Sequence, residues 1–290
     1  MNDSQPMKQY EVLRWASSFL EKHGRESSSA AILLQHHLQV TPASFYLHMR
    51  EDIEKKIWHA FEKDIKKHAE TGIPVQHLIG KAPFFGRDFI VNEDVLIPRF
   101  DTEVLIEKII ACLEVQEDLS HFTLVDVGTG SGIIAITLKL AFPMINVYAT
   151  DISEKALEVA KKNARIYETD IEWLQGNFLE PFLNQQLDAN LIVSNPPYID
   201  RNDIESLQDT VKDYDPELAL YAENYGLQAY QTIIEQTLQL NRHALQYLFF
   251  EIGYLQAEAV TSIIRTAYPS SDYTVLQDLG GQNRVISANI

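Results

Sequence analysis

Leu124-Val125-Asp126-Val127-Gly128-Thr129-Gly130-Ser131-Gly132-Ile133 is the stretch that decides the fold. Its apolar start reads as a buried strand, its three glycines as a tight turn, and the following IIAITLKL as a helix. Glycines leave no Cβ between backbone and ligand, and a helix start offers free N–H groups, so strand, turn and helix together make a nucleotide-type site. The spacing is G-x-G-x-G, not G-x-G-x-x-G, and no Walker lysine follows, so a pyrophosphate is not implied. The next apolar run, NVYAT, ends in Asp151, where a carboxylate can accept from both ribose hydroxyls of an adenosine. A glycine loop alone is a common structural turn. With Asp126 and Asp151 in register it predicts a nucleoside site.

Outward from the loop the pattern alternates. Helix 102–115 precedes strand 123–127, and helix 132–141, strand 145–150, helix 154–167, strand 171–175 and strand 189–194 follow. Helix 227–242, strand 245–252, helix 255–267 and strands 273–278 and 284–289 complete the chain, the last two close enough for an antiparallel hairpin. Alternation of this kind means an α/β fold, a parallel sheet with crossover helices. Before it, residues 7–71 carry apolar positions at helical spacing, Val12, Trp15, Phe19 and then Ile53, Ile57, Phe61, Ile65, which predicts four or five short helices. Residues 74–97 switch to β-branched and aromatic residues broken by Gly80, Pro83 and Gly86, a hairpin connector. The expected division is therefore a helical domain over 1–73, a β-hairpin connector over 74–100 and an α/β domain over 101–290.

Of 290 residues, 46% are hydrophobic and 22% charged, which excludes a disordered tail and leaves enough apolar surface for a sizeable core. The formal charge is −17, and residues 1–70 balance 10 basic against 10 acidic while residues 71–290 hold 14 against 31. Such an acidic surface repels a phosphate backbone and disfavours nucleic acid as a partner. The single cysteine, Cys112, reads as a small core residue and fits a reducing compartment. No basic n-region or long apolar run is present, so neither a leader nor a membrane span is expected and the chain reads as cytoplasmic. Six of nine histidines fall at 23, 36, 37, 48, 59 and 68; without cysteines beside them they read as surface or interface residues, and no metal is expected.

The fourth strand, LIVS, runs into Asn195-Pro196-Pro197-Tyr198 at the carboxyl edge, where open α/β sheets bind ligands. Two prolines fix the backbone and remove donors, leaving the Asn195 side-chain oxygen and the Pro196 carbonyl as a rigid pair of acceptors suited to a planar NH2 group. Tyr198 adds an aromatic face for a flat amide or base. A primary amide nitrogen is a poor nucleophile because its lone pair is delocalised. Two acceptors that hold both N–H bonds aim that lone pair at an electrophile, so positioning supplies the acceleration and no base is needed before attack.

D-x-G-x-G-x-G followed by N-P-P-Y resembles the class I, S-adenosylmethionine-dependent amino-methyltransferases. The segment Leu96 to Glu103, the sequence SNPPYI, and the stretches VKDYDPELAL, FFEIG (249–253) and DLGGQNRV (278–285) resemble the HemK/PrmC family, which methylates a glutamine side-chain nitrogen in peptide chain release factors. The resemblance runs from about residue 74 to the end. It implies a Rossmann-like sheet of seven mostly parallel strands behind an N-terminal helical bundle that grips the protein substrate, with S-adenosyl-L-methionine as cofactor. By position it implies that Gly128, Thr129, Gly130, Ser131 and Gly132 hold the methionine part, Asp151 the ribose, and Asn177 and Phe178 the adenine. Asn195, Pro196, Pro197 and Tyr198 then clasp the glutamine amide, Asn195 also lying near the transferred methyl, while Arg99 and Glu103 brace the site. Phe100, Asn177 and Asp215 depart from the family's usual proline, aspartate and glutamate.

An adenine-N6 nucleic-acid methyltransferase is the alternative, since N-P-P-Y clasps that NH2 equally well; the acidic charge opposes it. A non-catalytic adaptor that only retains the fold is opposed by the intact Asn195 and Asp151. Gly280-Gly281-Gln282 spells the tripeptide methylated in release factors, but it sits between two short strands and reads as a turn. Tyr214, Tyr221, Tyr225 and Tyr230 read as packing residues, and the loop 199–225 lies beside the site in a position to cover it.

Overall fold

Val12, Ala16 and Leu20 fall on one face of the helix Gln9–Lys22 (α1), and all three are fully buried. In the computed structural model, which describes residues 7–200, 202, 204 and 209–290, they pack on Leu33 and Leu34 of Ser28–Leu38 (α2) and on Phe61 and Ile65 of Lys55–Thr71 (α4). Between these, Pro42–Leu47 (α3) starts where Thr41-Pro42 predicts, with Thr41 Oγ1 accepting the Ser44 N–H at 3.3 Å. Two readings need correction. Ile53 does not continue the α4 stripe: Asp52–Ile53 pairs antiparallel with Met7–Lys8 as a two-residue ladder. His68 is not a surface histidine; it is buried, its Nδ1 lies 2.7 Å from the Ile73 carbonyl, and burial lowers its pKa.

The chain folds as two units, one running to Gly80 and taking in the segment that ends at Tyr214, the other holding the rest from Lys81 onward. The helical unit also contains Val75–Ile79 (α5), where the connector was expected to be hairpin; Pro74 caps that helix and fixes its entry. The hairpin itself is narrower, Lys81–Phe84 paired with Arg87–Ile90.

The second unit is built on Thr123–Val127 (β1), buried at every position. Asn146–Asp151 (β2), Glu172–Gln175 (β3), Leu191–Ser194 (β4), Tyr247–Glu251 (β5), Asp272–Gln277 (β6) and Asn283–Asn289 (β7) complete a seven-stranded sheet of order β6-β7-β5-β4-β1-β2-β3. β1 to β5 run parallel to one another, whereas β7 is antiparallel to β5 and β6, as the sequence pattern implies for the terminal pair. Alternate residues face opposite layers. Leu124 and Val147 pack with Asp101–Leu113 (α6) and Ile133–Ala141 (α7); Val125, Ile192 and Phe250 pack with Gln228–Thr237 (α9) and Ala257–Ala267 (α10). Glu154–Ile166 (α8) follows β2.

The sheet register brings the functional strand ends together, because Val127 lies opposite both Thr150 and Ser194, and Ser194 opposite Phe250. At the other turn of interest, Asp278 Oδ1 accepts the N–H groups of Gly280 and Gln282 at 2.8 and 2.9 Å, so Gly280-Gly281-Gln282 is the expected turn. Tyr230 is buried as read, but Tyr225 is 79% exposed and is no packing residue. Part of the loop 199–225 lies outside the described residues. No described helix is long and apolar enough to cross a membrane.

Candidate active site

A cleft opens at the carboxyl edge of β1, β2 and β4. Gly128 to Ser131, Asp151 to Ser153, Asn195 and Pro197 line it, with Asp94, Pro98 and Arg99 from the segment before α6 and Thr102 from its first turn. This is the switch point of the sheet, where order reverses between β1 and β4. Ser194 Oγ donates to the Val127 carbonyl at 2.6 Å, pinning the residue before Asn195 to the residue before the glycine loop.

The loop is held from three sides. Gly128 and Thr129 N–H groups both reach the Thr150 carbonyl at 2.9 Å. Gly132 has φ +82°, and a Cβ there would lie 3.1 Å from that of Ala160, so α7 and α8 approach as they do only over glycine. Asn163 of α8, fully buried, donates to the Ser131 carbonyl at 2.9 Å while its Oδ1 accepts from Ile90 at 2.7 Å, which ties hairpin to loop. Asn163 had no sequence signal beyond its place in a helix.

Asp151 Oδ2 accepts the Gly130 N–H and Oδ1 the Ser153 N–H, both at 2.9 Å. The carboxylate is thus fixed in direction, and each oxygen keeps a lone pair for a ligand. Burial raises its pKa and these backbone bonds counter that. Asp126 lies deeper, with Oδ2 accepting from Thr129 Oγ1 at 2.6 Å and Ala135 N–H at 3.2 Å, while its buried Oδ1 has no partner among the described residues. Burial pushes Asp126 up to about 7. A buried acid raised in the fold contributes stability that is complete below its ordinary pKa near 4 and lost as pH rises through about 7. The ligand-free protein therefore loses up to about 4 kcal/mol from Asp126 over that window. In urea melts, Asp126→Asn comes nearest the parent at pH 4 and exceeds it by a margin that grows up to pH 8; identical pH slopes would contradict this.

On the other wall, Asn195 is half-buried and its Nδ2 lies 3.4 Å from Thr102 Oγ1. Thr102 in turn donates to Glu251 Oε2 at 2.6 Å. Burial pushes Glu251 up to about 7. Sequence reasoning missed Glu251 and Thr102 as a pair, although FFEIG was a recognisable segment; their contact spans 149 residues. Arg99 pairs with the buried Asp215 at 2.7 Å, so the departure at 215 preserves the ion pair. Glu103 does not reach the cleft: its Oε1 accepts the Phe85 N–H at 2.8 Å and braces the hairpin.

Pro196 and Tyr198 do not line the cleft. Pro196 is buried, and Tyr198 packs at the edge of the α9–α10 cluster, its carbonyl held by Gln256 Nε2 at 2.9 Å. Burial foremost, then Glu251, pushes the Tyr198 phenol up to about 12, so it stays neutral. Asn177 and Phe178 follow β3, the strand beside Asp151, and are likewise not among the lining residues; Asn177 Nδ2 faces Glu180 at 3.4 Å and Phe178 meets the apolar cluster.

Residues 11–80 match the model of the PrmC N-terminal domain, and residues 102–213 that of the methyltransferase small domain. The release factor glutamine methyltransferase of Bacillus anthracis is 38% identical over 98% of this chain and 100% of its own length. That of Enterococcus faecalis is 40% identical over 96% of this chain and 98% of its own length, and that of Bacillus subtilis 37% over 97% of each. Among solved structures, the N-terminal domain of human METTL16 covers 89% of this chain and 92% of its own with a TM-score of 0.52 at 16% identity. The same domain in complex with SAH covers 83% and 86% with a TM-score of 0.51. Those two likenesses show the fold. From the near full-length identity to curated relatives, the chain belongs to the release factor glutamine methyltransferase family.

Proposed function

We propose that this chain transfers the methyl group of S-adenosylmethionine to the side-chain amide nitrogen of the glutamine in the Gly-Gly-Gln motif of a peptide chain release factor. One observation carries the reading: Asn195 shares a cleft with the glycine loop and Asp151, and its Nδ2 is occupied by Thr102, so the group it offers is Oδ1.

The cleft fits the cofactor. Nothing lies within 4 Å of where a Cβ on Gly128 or Gly130 would stand, so the loop backbone is open to a ligand. The fixed Asp151 carboxylate suits a ribose diol. When bound, S-adenosylmethionine supplies an electrophilic methyl group. The loop Gly128 to Gly132 holds its methionine part, Asp151 its ribose, and Asn177 and Phe178 its adenine. Asn195 Oδ1 and the Pro196 carbonyl accept the two N–H bonds of the glutamine amide, which directs the nitrogen lone pair into the cleft. Pro197 restricts the backbone of that clasp. Neutral Tyr198 is no base, and the proton lost after the new N–C bond forms leaves to solvent. Release factor contacts fall to the helical unit, whose Tyr46 and Leu47 are exposed by 64% and 82%. The reaction is placed in the cytoplasm, where a lone cysteine stays reduced.

Methyl transfer from labelled S-adenosylmethionine to a purified release factor, beside its Gln→Ala target variant and DNA, tests this. Label on the wild-type factor alone is the expected result; label on DNA overturns the reading. Asp151→Ala removes two charge-assisted bonds along with the ribose acceptor, so cofactor Kd rises about 10- to 100-fold. Calorimetric titration checks that, and an unchanged Kd would move the ribose elsewhere.

A further inference from the structure

Glu251, buried at the end of β5, has no place among the roles above, yet it controls the hydrogen that Thr102 can give. A hydroxyl donates once. While Glu251 is ionised it can only accept, so the Thr102 hydrogen is committed to it and Thr102 turns a lone pair toward Asn195. Only the NH2 end of the Asn195 amide satisfies a lone pair, and at 3.4 Å it is Nδ2 that faces Thr102. Oδ1 is thereby directed to the cleft. When Glu251 is protonated the chain of donors reverses: the acid donates to Thr102, the Thr102 hydrogen is released toward Asn195, and the amide is free to present NH2 to the substrate NH2.

We propose that Glu251, acting through Thr102, sets which end of the Asn195 carboxamide faces the substrate amide, and so is a positioning residue. The proposal rests on Asn195 being the acceptor for that amide. The groups facing Glu251 are few. Burial raises it most, Thr102 and Arg284 of β7 oppose this, and Asp101 of α6 adds to it, to give a value of about 7. The Tyr198 phenol and that of Tyr230 on α9, which donates to the Glu251 carbonyl at 2.9 Å, are raised by burial and stay neutral.

The experiment is a pH profile of kcat at saturating S-adenosylmethionine with a release factor as acceptor. The parent loses roughly tenfold in kcat per pH unit below about 7 and is flat above. Glu251→Gln abolishes that limb. Thr102→Val lowers kcat about 10- to 100-fold above pH 7 and flattens the limb below it, with cofactor Kd unchanged, and Thr102→Ser restores both. In ligand-free protein labelled with 15N-asparagine, the Asn195 side-chain amide pair titrates near pH 7 in the parent and not in Glu251→Gln. A limb that persists in Glu251→Gln, a Thr102→Val enzyme with parental kcat, or an Asn195 amide indifferent to pH overturns the proposal. If the parent labels no release factor at pH 8, the functional reading fails, while the amide titration still decides whether Glu251 governs Asn195.

Discussion

Asn195→Ala lowers kcat by about 10²- to 10³-fold and leaves S-adenosylmethionine affinity within about twofold of the parent. The substitution removes the side-chain acceptor of the clasp and leaves the Pro196 carbonyl as its only other half. One acceptor fixes one N–H bond and permits rotation about it, so the nitrogen lone pair no longer points in a single direction. The cofactor elements are untouched, because the loop is anchored on Thr150, Asp151 and Asn163 and none of these bonds passes through Asn195. Single-turnover transfer from labelled cofactor, with Kd measured by titration, separates the two quantities. Asp151→Ala shows the converse pattern. Equal losses of cofactor affinity in both variants would mean that the strand ends of β2 and β4 do not divide the work.

Gly226→Ala costs about 2–4 kcal/mol of stability and about 10²-fold in kcat, although Gly226 does not line the cleft. Asn224, Tyr225 and Gly226 all have positive φ, at 55°, 58° and 77°, so the chain here turns in the left-handed region. That conformation costs a side-chain-bearing residue about 1–2 kcal/mol. Space is the larger constraint. A Cβ on Gly226 overlaps the Tyr198 carbonyl oxygen and comes within 2.6 Å of Gln256 Nε2, which holds that carbonyl. Either this turn or the Asn-Pro-Pro-Tyr backbone must shift, and the clasp depends on the latter. Gly86→Ala is the control, since Gly86 has φ +73° with nothing within 4 Å of its Cβ position. It pays only the conformational cost of about 1 kcal/mol and keeps parental kcat. Thermal melts and transfer rates on both variants distinguish a general glycine effect from a displaced clasp.

Only part of this fold and site is written locally in the sequence. The strands at the carboxyl edge were legible because a central parallel strand must be apolar throughout, and the loop and N-P-P-Y because glycine and proline act locally. The helix-to-hairpin switch at Val75–Ile79 was not, since five residues carry too little periodicity to tell helix from strand. Nor were two-residue ladders such as Ile199–Asp200 with Tyr221–Ala222, which only tertiary packing defines. In the site, Asp151 and Asn195 announced themselves by their motifs, whereas Glu251, Thr102, Asn163 and Gly226 act through partners 149, 93, 32 and 28 residues away, and no local pattern encodes such a pairing.

β4 lies between β1 and β5, so during synthesis the middle of the sheet keeps one unpaired edge until residues up to Glu251 have been made. The helices α1, α2, α4 and α5 supply nearly all of their core within the first 80 residues. The ribosome thus delivers early a part with short-range contacts that folds fast, and a sheet that must wait for its second neighbour. In that interval Leu191, Ile192 and Val193 present bare N–H and C=O groups, the geometry from which strands recruit the wrong partner. Growth of the chain itself therefore schedules the appearance of activity: Asn195 emerges first, and the carboxylate that orients it arrives with the strand that shields it.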